Sequence, residues 1–177
     1  MIFVTRNKWK LMEAQKMLGE RIENRTIDVP EIQSDSLMEI AAESAKYAYN
    51  ELREPCFVED SGLFIHDIKG FPGPYSKYVY GTIGLKGILK LMEGRENRGA
   101  EFRSVIGYAN ATETKTFTGR VYGSITDRIH GSQGFGYDPI FMPLKHSKTF
   151  AEDPEYKNQV SHRASAIKSF KSYLGMK

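Results

Sequence analysis

The stretch that most constrains this chain is Cys56-Phe57-Val58-Glu59-Asp60-Ser61-Gly62-Leu63, an apolar run that delivers two adjacent carboxylates, a hydroxyl and a glycine. Cys-Phe-Val bounded by Pro55 and Gly62 reads as a fully buried strand, and ligands of open α/β sheets gather at the carboxyl ends of such strands. Ionised carboxylates taken out of water are costly unless something pairs with them. A hard divalent cation suits paired oxygen ligands, and Mg2+ in particular is held by one or two carboxylates together with substrate phosphates. The same two acids serve equally to cap the next turn. What decides between these readings is whether other segments supply phosphate-binding groups to face this corner.

At 177 residues the chain is long enough to bury a sizeable core as a single domain. Apolar residues at 40% and charged residues at 27% are ordinary for a globular protein and exclude a disordered one. Lys and Arg number 25 against 22 Asp and Glu, and the resulting +3 is too small to require nucleic acid, though it accommodates an anionic small molecule. Cys56 is the one cysteine and lies in an apolar run, which reads as a packed thiol in a reducing compartment, the cytoplasm. Residues 1–18 alternate apolar and charged positions, unlike a secretory signal, and no run reaches the ~18 apolar residues of a membrane span. Neither export nor a membrane partner is expected.

The chain opens with the β-forming run Met1-Ile2-Phe3-Val4, breaks at Thr5-Arg6-Asn7, and continues with Leu11, Ala14 and Leu18 on one helical face. Strand, turn and helix in this order offer open backbone N–H groups and the positive end of the helix dipole, which together bind anions. Thr5 and Asn7 add hydrogen-bonding side chains, and Lys8 and Lys10 add charge where a polyphosphate would lie. Thr5 or Asn7 serves equally as a plain helix cap. Gly19 closes the helix, Ile22 to Val29 reads as a short polar edge strand stopped by Pro30, and Glu31 follows. Ser36 and Glu39 form an S-x-x-E capping box for a helix to about Leu52, whose face of Ile40, Ala41, Ser44, Ala45 and Ala48 lets it pack closely on the sheet.

Beyond Leu63, Gly70-Phe71-Pro72-Gly73-Pro74 is a rigid loop. Three tyrosines within Tyr75 to Tyr80 suit a stacked base or, preferably, a subunit interface. Leu85 to Met92 is a short helix ended by Gly94. Ala100 to Ala109 and Thr116 to Thr126 read as a hairpin turning at residues 110–113, without clustered catalytic residue types and suited to support or dimer packing. The glycine loop Gly131 to Pro139 carries Phe135, Tyr137 and Asp138, whose aromatics either stack on a flat ligand or fill the core. Asp138 precedes Pro139, a position biased toward extended backbone that would aim its carboxylate away from the loop. Asp153-Pro154 starts a further helix from which Lys157 projects, and Ser161 caps a last helix with the stripe Ala164, Ile167, Phe170 and Leu174. His162 and Arg163 in its first turn oppose the dipole preference for acids, which suggests an anion or nucleobase nearby. His66, His130 and His146 lack metal-ligand spacing, so no zinc site is expected.

Thr5-Arg6-Asn7-Lys8-Trp9-Lys10, Val58-Glu59-Asp60-Ser61-Gly62-Leu63, Phe135-Gly136-Tyr137-Asp138-Pro139 and Lys157-Asn158-Gln159-Val160-Ser161-His162-Arg163 together resemble the inosine triphosphate pyrophosphatase family, enzymes that clear non-standard purine nucleotides. The likeness runs in order over nearly the whole chain, and Pro72-Gly73-Pro74-Tyr75-Ser76-Lys77 shares it. It implies an α/β fold with a curved mixed β-sheet, two α/β lobes flanking a central cleft, and residues 1–177 as a single nucleoside triphosphate pyrophosphatase domain. It implies a homodimer and Mg2+-dependent hydrolysis of ITP, dITP and XTP to the monophosphate and pyrophosphate. Carried over by position, Thr5, Arg6, Asn7, Lys8, Trp9 and Lys10 would bind the triphosphate. Asp60 would be the catalytic carboxylate and a metal ligand, Glu31 the second metal ligand, and Ser61 a nucleotide contact. Phe135, Gly136, Tyr137 and Asp138 would hold the base, with Lys157, His162 and Arg163 completing the contacts. Arg6 departs from the family, where a small residue is usual; its side chain would either restrict backbone approach to phosphate or add a positive contact.

The mechanism that follows has phosphate oxygens bridged by metal, developing charge neutralised by Lys10, and a carboxylate that orients or deprotonates water, with no covalent intermediate. Two other readings are a pyrophosphatase for modified pyrimidine nucleotides and a single-stranded nucleic-acid-binding protein that uses aromatics and lysines as a stacking platform. The small net charge speaks against the second of these.

Overall fold

The computed structural model of the chain describes residues 1–19 and 22–176. It separates into two compact units, one comprising Met1–Asp60, Ser104–Gly119 and His162–Lys177, the other Ser61–Arg103 and Arg120–Ser161. The first unit opens with β1 (Ile2–Val4), α1 (Lys8–Leu18), β2 (Glu23–Arg25) and α2 (Leu37–Leu52), and then enters β3 (Cys56–Ile65). β1 pairs in parallel with both β2 and β3 and sets Phe3 opposite Phe57, whose rings stack at 4.4 Å and 2°. The polar β2 takes the sheet edge, as its sequence suggests, but ends at Arg25 and does not run from Ile22 to Val29 as expected. α2 begins where expected: the Ser36 side chain accepts from the Glu39 amide. The Glu39 carboxylate, however, accepts from Ser34 Oγ at 2.6 Å, so only half of the capping box forms.

β3 runs straight through Gly62 to Ile65, so Glu59 and Asp60 lie inside a ten-residue strand and not at its end, contrary to the sequence expectation. The cause is steric. A Cβ at Gly62 would lie 2.2 Å from Gly73 O, so the glycine admits β4 (Pro72–Gly73), which pairs antiparallel with Leu63 opposite Gly73. The chain continues through α3 (Ser76–Thr82) and α4 (Gly84–Leu91) to the neighbouring strands β5 (Gly99–Ala109) and β6 (Thr114–Ile125). Their turn is fixed by Asn110 Oδ1, which accepts from the amides of Thr112 and Glu113. β7 (Phe141–Pro143) pairs antiparallel with β6, and α5 (Pro154–Val160) and α6 (His162–Tyr173) finish the chain.

The strand order is β2-β1-β3-β5-β6-β7 with β4 on β3, a mixed sheet of the expected α/β class. Each unit has its own core: Phe3, Leu18, Phe57, Ile106, Ile167 and Phe170 in the first, Leu63, Ile65, Ile88, Phe102, Phe141 and Phe150 in the second. α6 seats directly on β6 because Gly119 carries no side chain; a Cβ there would lie 2.1 Å from His162 O and 2.3 Å from Ala166 N. That seating fixes where the first turn of α6 presents its side chains. Among the described residues no helix is long and apolar enough to cross a membrane.

Candidate functional site

Successive residues of a strand point to opposite faces, so β3 turns Glu59 inward and Asp60 the other way, half-buried. The Glu59 side chain is 2% exposed and fully engaged. Lys10 Nζ lies 2.8 Å from Oε2 and also donates to the Glu59 carbonyl at 2.8 Å. Arg163 Nη2 lies 3.2 Å from Oε1, and Ser104 Oγ donates to the same oxygen. Burial alone would raise the Glu59 carboxyl, but the charges of Arg163 and Lys10 and the hydrogen bonds from Lys10 and Ser104 hold it well below the usual carboxylate range. Arg163 is equally buried and pairs also with Glu13. Desolvation would lower its pKa; Glu59 and Glu13 outweigh that and raise it. Two cations thus meet two anions, and the charges balance.

α1 delivers Lys10 and Glu13 from one face, since they are three residues apart. Asn7 caps this helix, its side-chain oxygen accepting from the amides of Trp9 at 3.0 Å and Lys10 at 3.2 Å, while its own amide donates to Thr5 Oγ1 at 3.1 Å. Of the two roles the sequence leaves open for this turn, anion binding or a helix cap, those two amides take the cap. Arg6 pairs with Asp28, and Lys8 and Trp9 are exposed. Glu31 is exposed on the irregular stretch between β2 and α2, and Ser61 is half-buried on β3. Among the described residues no three His, Cys, Asp or Glu group as a metal cage. The basic first turn of α6 finds its anions within the protein, as Arg163 shows; His162 beside it is buried.

In the second unit, Asp138 corrects its sequence expectation. The carboxylate turns back into the glycine loop, where Oδ2 accepts from the Phe135 amide at 2.9 Å and from Lys157 Nζ at 2.7 Å. Residues 138–140 form one 3-10 turn, and the ion pair outweighs the pre-proline bias. Lys157 does not project but is 3% exposed, with Nζ 4.4 Å from the Phe135 ring centroid. Gly136 is half-buried and Tyr137 buried, its hydroxyl donating to Ser76 O at 2.9 Å and its ring edge-on to Tyr80. Burial, and then the charge of Tyr80, pushes the Tyr137 phenol up. His146 stacks on Tyr156 at 4.0 Å.

Sequence reasoning missed Glu59, Glu13 and Ser104 as members of the network. Glu13 was signalled by its helical spacing from Lys10. Ser104 carried no signal, and the hairpin read as support or dimer packing supplies it.

The Ham1 family matches residues 1–173. Among similar chains, the dITP/XTP pyrophosphatase of Methanopyrus kandleri is 51% identical over 174 residues, covering 96% of this chain and 93% of that one. The dITP/XTP pyrophosphatase of Thermococcus kodakarensis is 48% identical over 176 residues, covering 97% and 95%. The solved structure of the Staphylococcus aureus Ham1 protein superposes with a TM-score of 0.86 at 30% identity, over 98% of this chain and 97% of that one. The HAM1 protein from Coxiella burnetii gives a TM-score of 0.86 at 29% identity, with the same coverage of both chains. In fold and in sequence, this chain belongs to the Ham1 family.

Proposed function

We propose that this chain hydrolyses the non-standard purine nucleoside triphosphates ITP, dITP and XTP to the monophosphate and pyrophosphate. The observation that carries the reading is the balanced network of Lys10, Glu59, Arg163 and Glu13 built on the strand that presents Asp60. Relatives named dITP/XTP pyrophosphatase, at about half identity over nearly the full chain, support the substrate class.

Lys10 is gripped by the Glu59 side chain and carbonyl, so its ammonium is fixed before a polyphosphate arrives. A fixed charge needs no reorganisation as negative charge develops. Thr5, Arg6, Asn7, Lys8 and Trp9 flank it as the triphosphate-binding turn, and Arg163 braces Glu59 from α6. Glu59 is a poor base, because a carboxyl held so far below its usual range accepts protons weakly. Asp60 is the carboxylate that orients water or takes its proton. Water adds across the anhydride bond between the α- and β-phosphates, that bond breaks, and the pyrophosphate leaves with the bridging oxygen.

Asp60 and Glu31 are oxygen donors, and one or two carboxylates with phosphate oxygens suit Mg2+, which keeps several of its waters. When bound, such an ion supplies positive charge to the phosphate oxygens. Phe135 offers a stacking face, Gly136 lets the loop close on the base, and Lys157, held by Asp138, offers a donor to the 6-oxo group that hypoxanthine and xanthine carry and adenine lacks. Ser61 and His162 complete the nucleotide contacts. The exposed Phe71, Tyr75, Tyr78 and Ile83 suit a subunit interface. We read the protein as a homodimer that acts on the cytoplasmic nucleotide pool, with residues 1–177 as one catalytic domain. Pyrophosphate release with Mg2+ across ITP, XTP, dUTP and 5-methyl-UTP tests the reading: preference for the purines supports it, and preference for the pyrimidines would reassign the site.

A further inference from the structure

We propose that Tyr137 is a positioning residue, a pin that fixes the glycine loop carrying Phe135 and Asp138 and so sets purine selectivity without itself stacking on the base. The proposal rests on the substrate reading above. Tyr137 is only 4% exposed and packs among Leu63, Val79, Ile140 and Phe141 in the core of its unit. Its ring meets Tyr80 edge-on at 5.5 Å, and its hydroxyl donates to Ser76 O at 2.9 Å. Both ring and hydroxyl are thereby committed within the protein.

The anchor is itself anchored. Ser76 Oγ donates to Gly73 O at 2.7 Å and accepts from the Leu63 amide at 2.8 Å. One serine at the start of α3 therefore ties the glycine loop to β3, two residues beyond Ser61. The pinned tyrosine sits directly between the two loop residues that form the Lys157 cluster. Asp138 follows it, and Phe135, whose amide Asp138 accepts and whose ring Lys157 covers, precedes it by two residues. Freed from the pin, the loop would hold Phe135 and Lys157 less well for the 6-oxo group, and hydrogen-bond discrimination depends steeply on that geometry. Lys10 and Asp60 lie on α1 and β3, so the loss would enter through base recognition.

The variant Tyr137→Phe keeps the ring and removes only the hydroxyl. Steady-state kcat/KM for ITP and for ATP gives the selectivity ratio. It is expected to fall by about tenfold, the factor that goes with one modest hydrogen bond, mainly through a raised KM for ITP. A base-stacking tyrosine would keep its selectivity as phenylalanine, so an unchanged ratio overturns the proposal. A loss equal for both substrates, tracking the folded fraction by circular dichroism, also overturns it. If Tyr137→Phe does not fold, Tyr80→Leu loosens the same ring from its other side, and it too must lower the ratio. A wild-type protein that releases no pyrophosphate from ITP sinks the substrate reading as well, whereas an active wild type with an unaltered ratio in the variant sinks the pin alone.

Discussion

Glu59 keeps its charge almost wholly out of water because Arg163, Lys10 and Ser104 surround it. Its folded pKa lies below the ordinary value of 4.5, so the unfolded chain binds more protons in the interval between them. The stability it contributes is therefore present above about pH 4.5 and lost as the pH falls below that. Glu59→Gln is expected to flatten this acid limb in urea unfolding. It should also cost about 3–5 kcal/mol at neutral pH, because Arg163 is left with a buried, under-compensated charge; an unaltered neutral stability would contradict the network. Asp60, on the opposite face and half-buried, is expected to behave differently. Asp60→Asn should cut pyrophosphate release by roughly a thousandfold, within the range of general-base losses. Burial pushes the Cys56 thiol up to about 11, so iodoacetamide at about pH 8 should label the unfolded chain and spare the native one. Lys10 and Asp60 stood out in the sequence as candidates by residue type and neighbours. Their supports did not, because a contact such as Glu13 with Arg163 joins positions 150 residues apart.

At the scale of elements, periodicity carried most of the information. The small-residue face of α2 and the three-and-four stripe of α6 were readable, as was the pairing of β5 and β6 across a polar turn. Close backbone approach was not. Gly62 looks like a strand end and is instead the place where β4 comes within reach, and Gly119 looks like an ordinary strand glycine although α6 rests on it. Gly119→Ala would force a Cβ against the backbone at His162 and Ala166, neither of which can yield as a side-chain tip can. The expected loss is about 1–3 kcal/mol in thermal or urea unfolding. A Gly119→Ala variant as stable as the wild type would show that α6 does not seat as described. Asp138 was misread for a related reason: the bias set by Pro139 is local, whereas the ion pair that decides the side chain comes from Lys157, 19 residues on.

For the molecule as a whole, each unit holds one buried charged cluster. One has the Lys10, Glu59 and Arg163 network beside Asp60, and the other has Phe135, Asp138 and Lys157. In the proposed function the first serves the polyphosphate and its hydrolysis, and the second a purine bearing a 6-oxo group. The most direct measurement is product analysis with Mg2+, resolving nucleotides by chromatography while pyrophosphate is quantified, for ITP, XTP, dITP and ATP side by side. Equal amounts of monophosphate and pyrophosphate are expected from the first three, with kcat/KM for ATP at least about a hundredfold lower. Diphosphate and orthophosphate as products, or ATP turned over as well as ITP, would contradict the assignment.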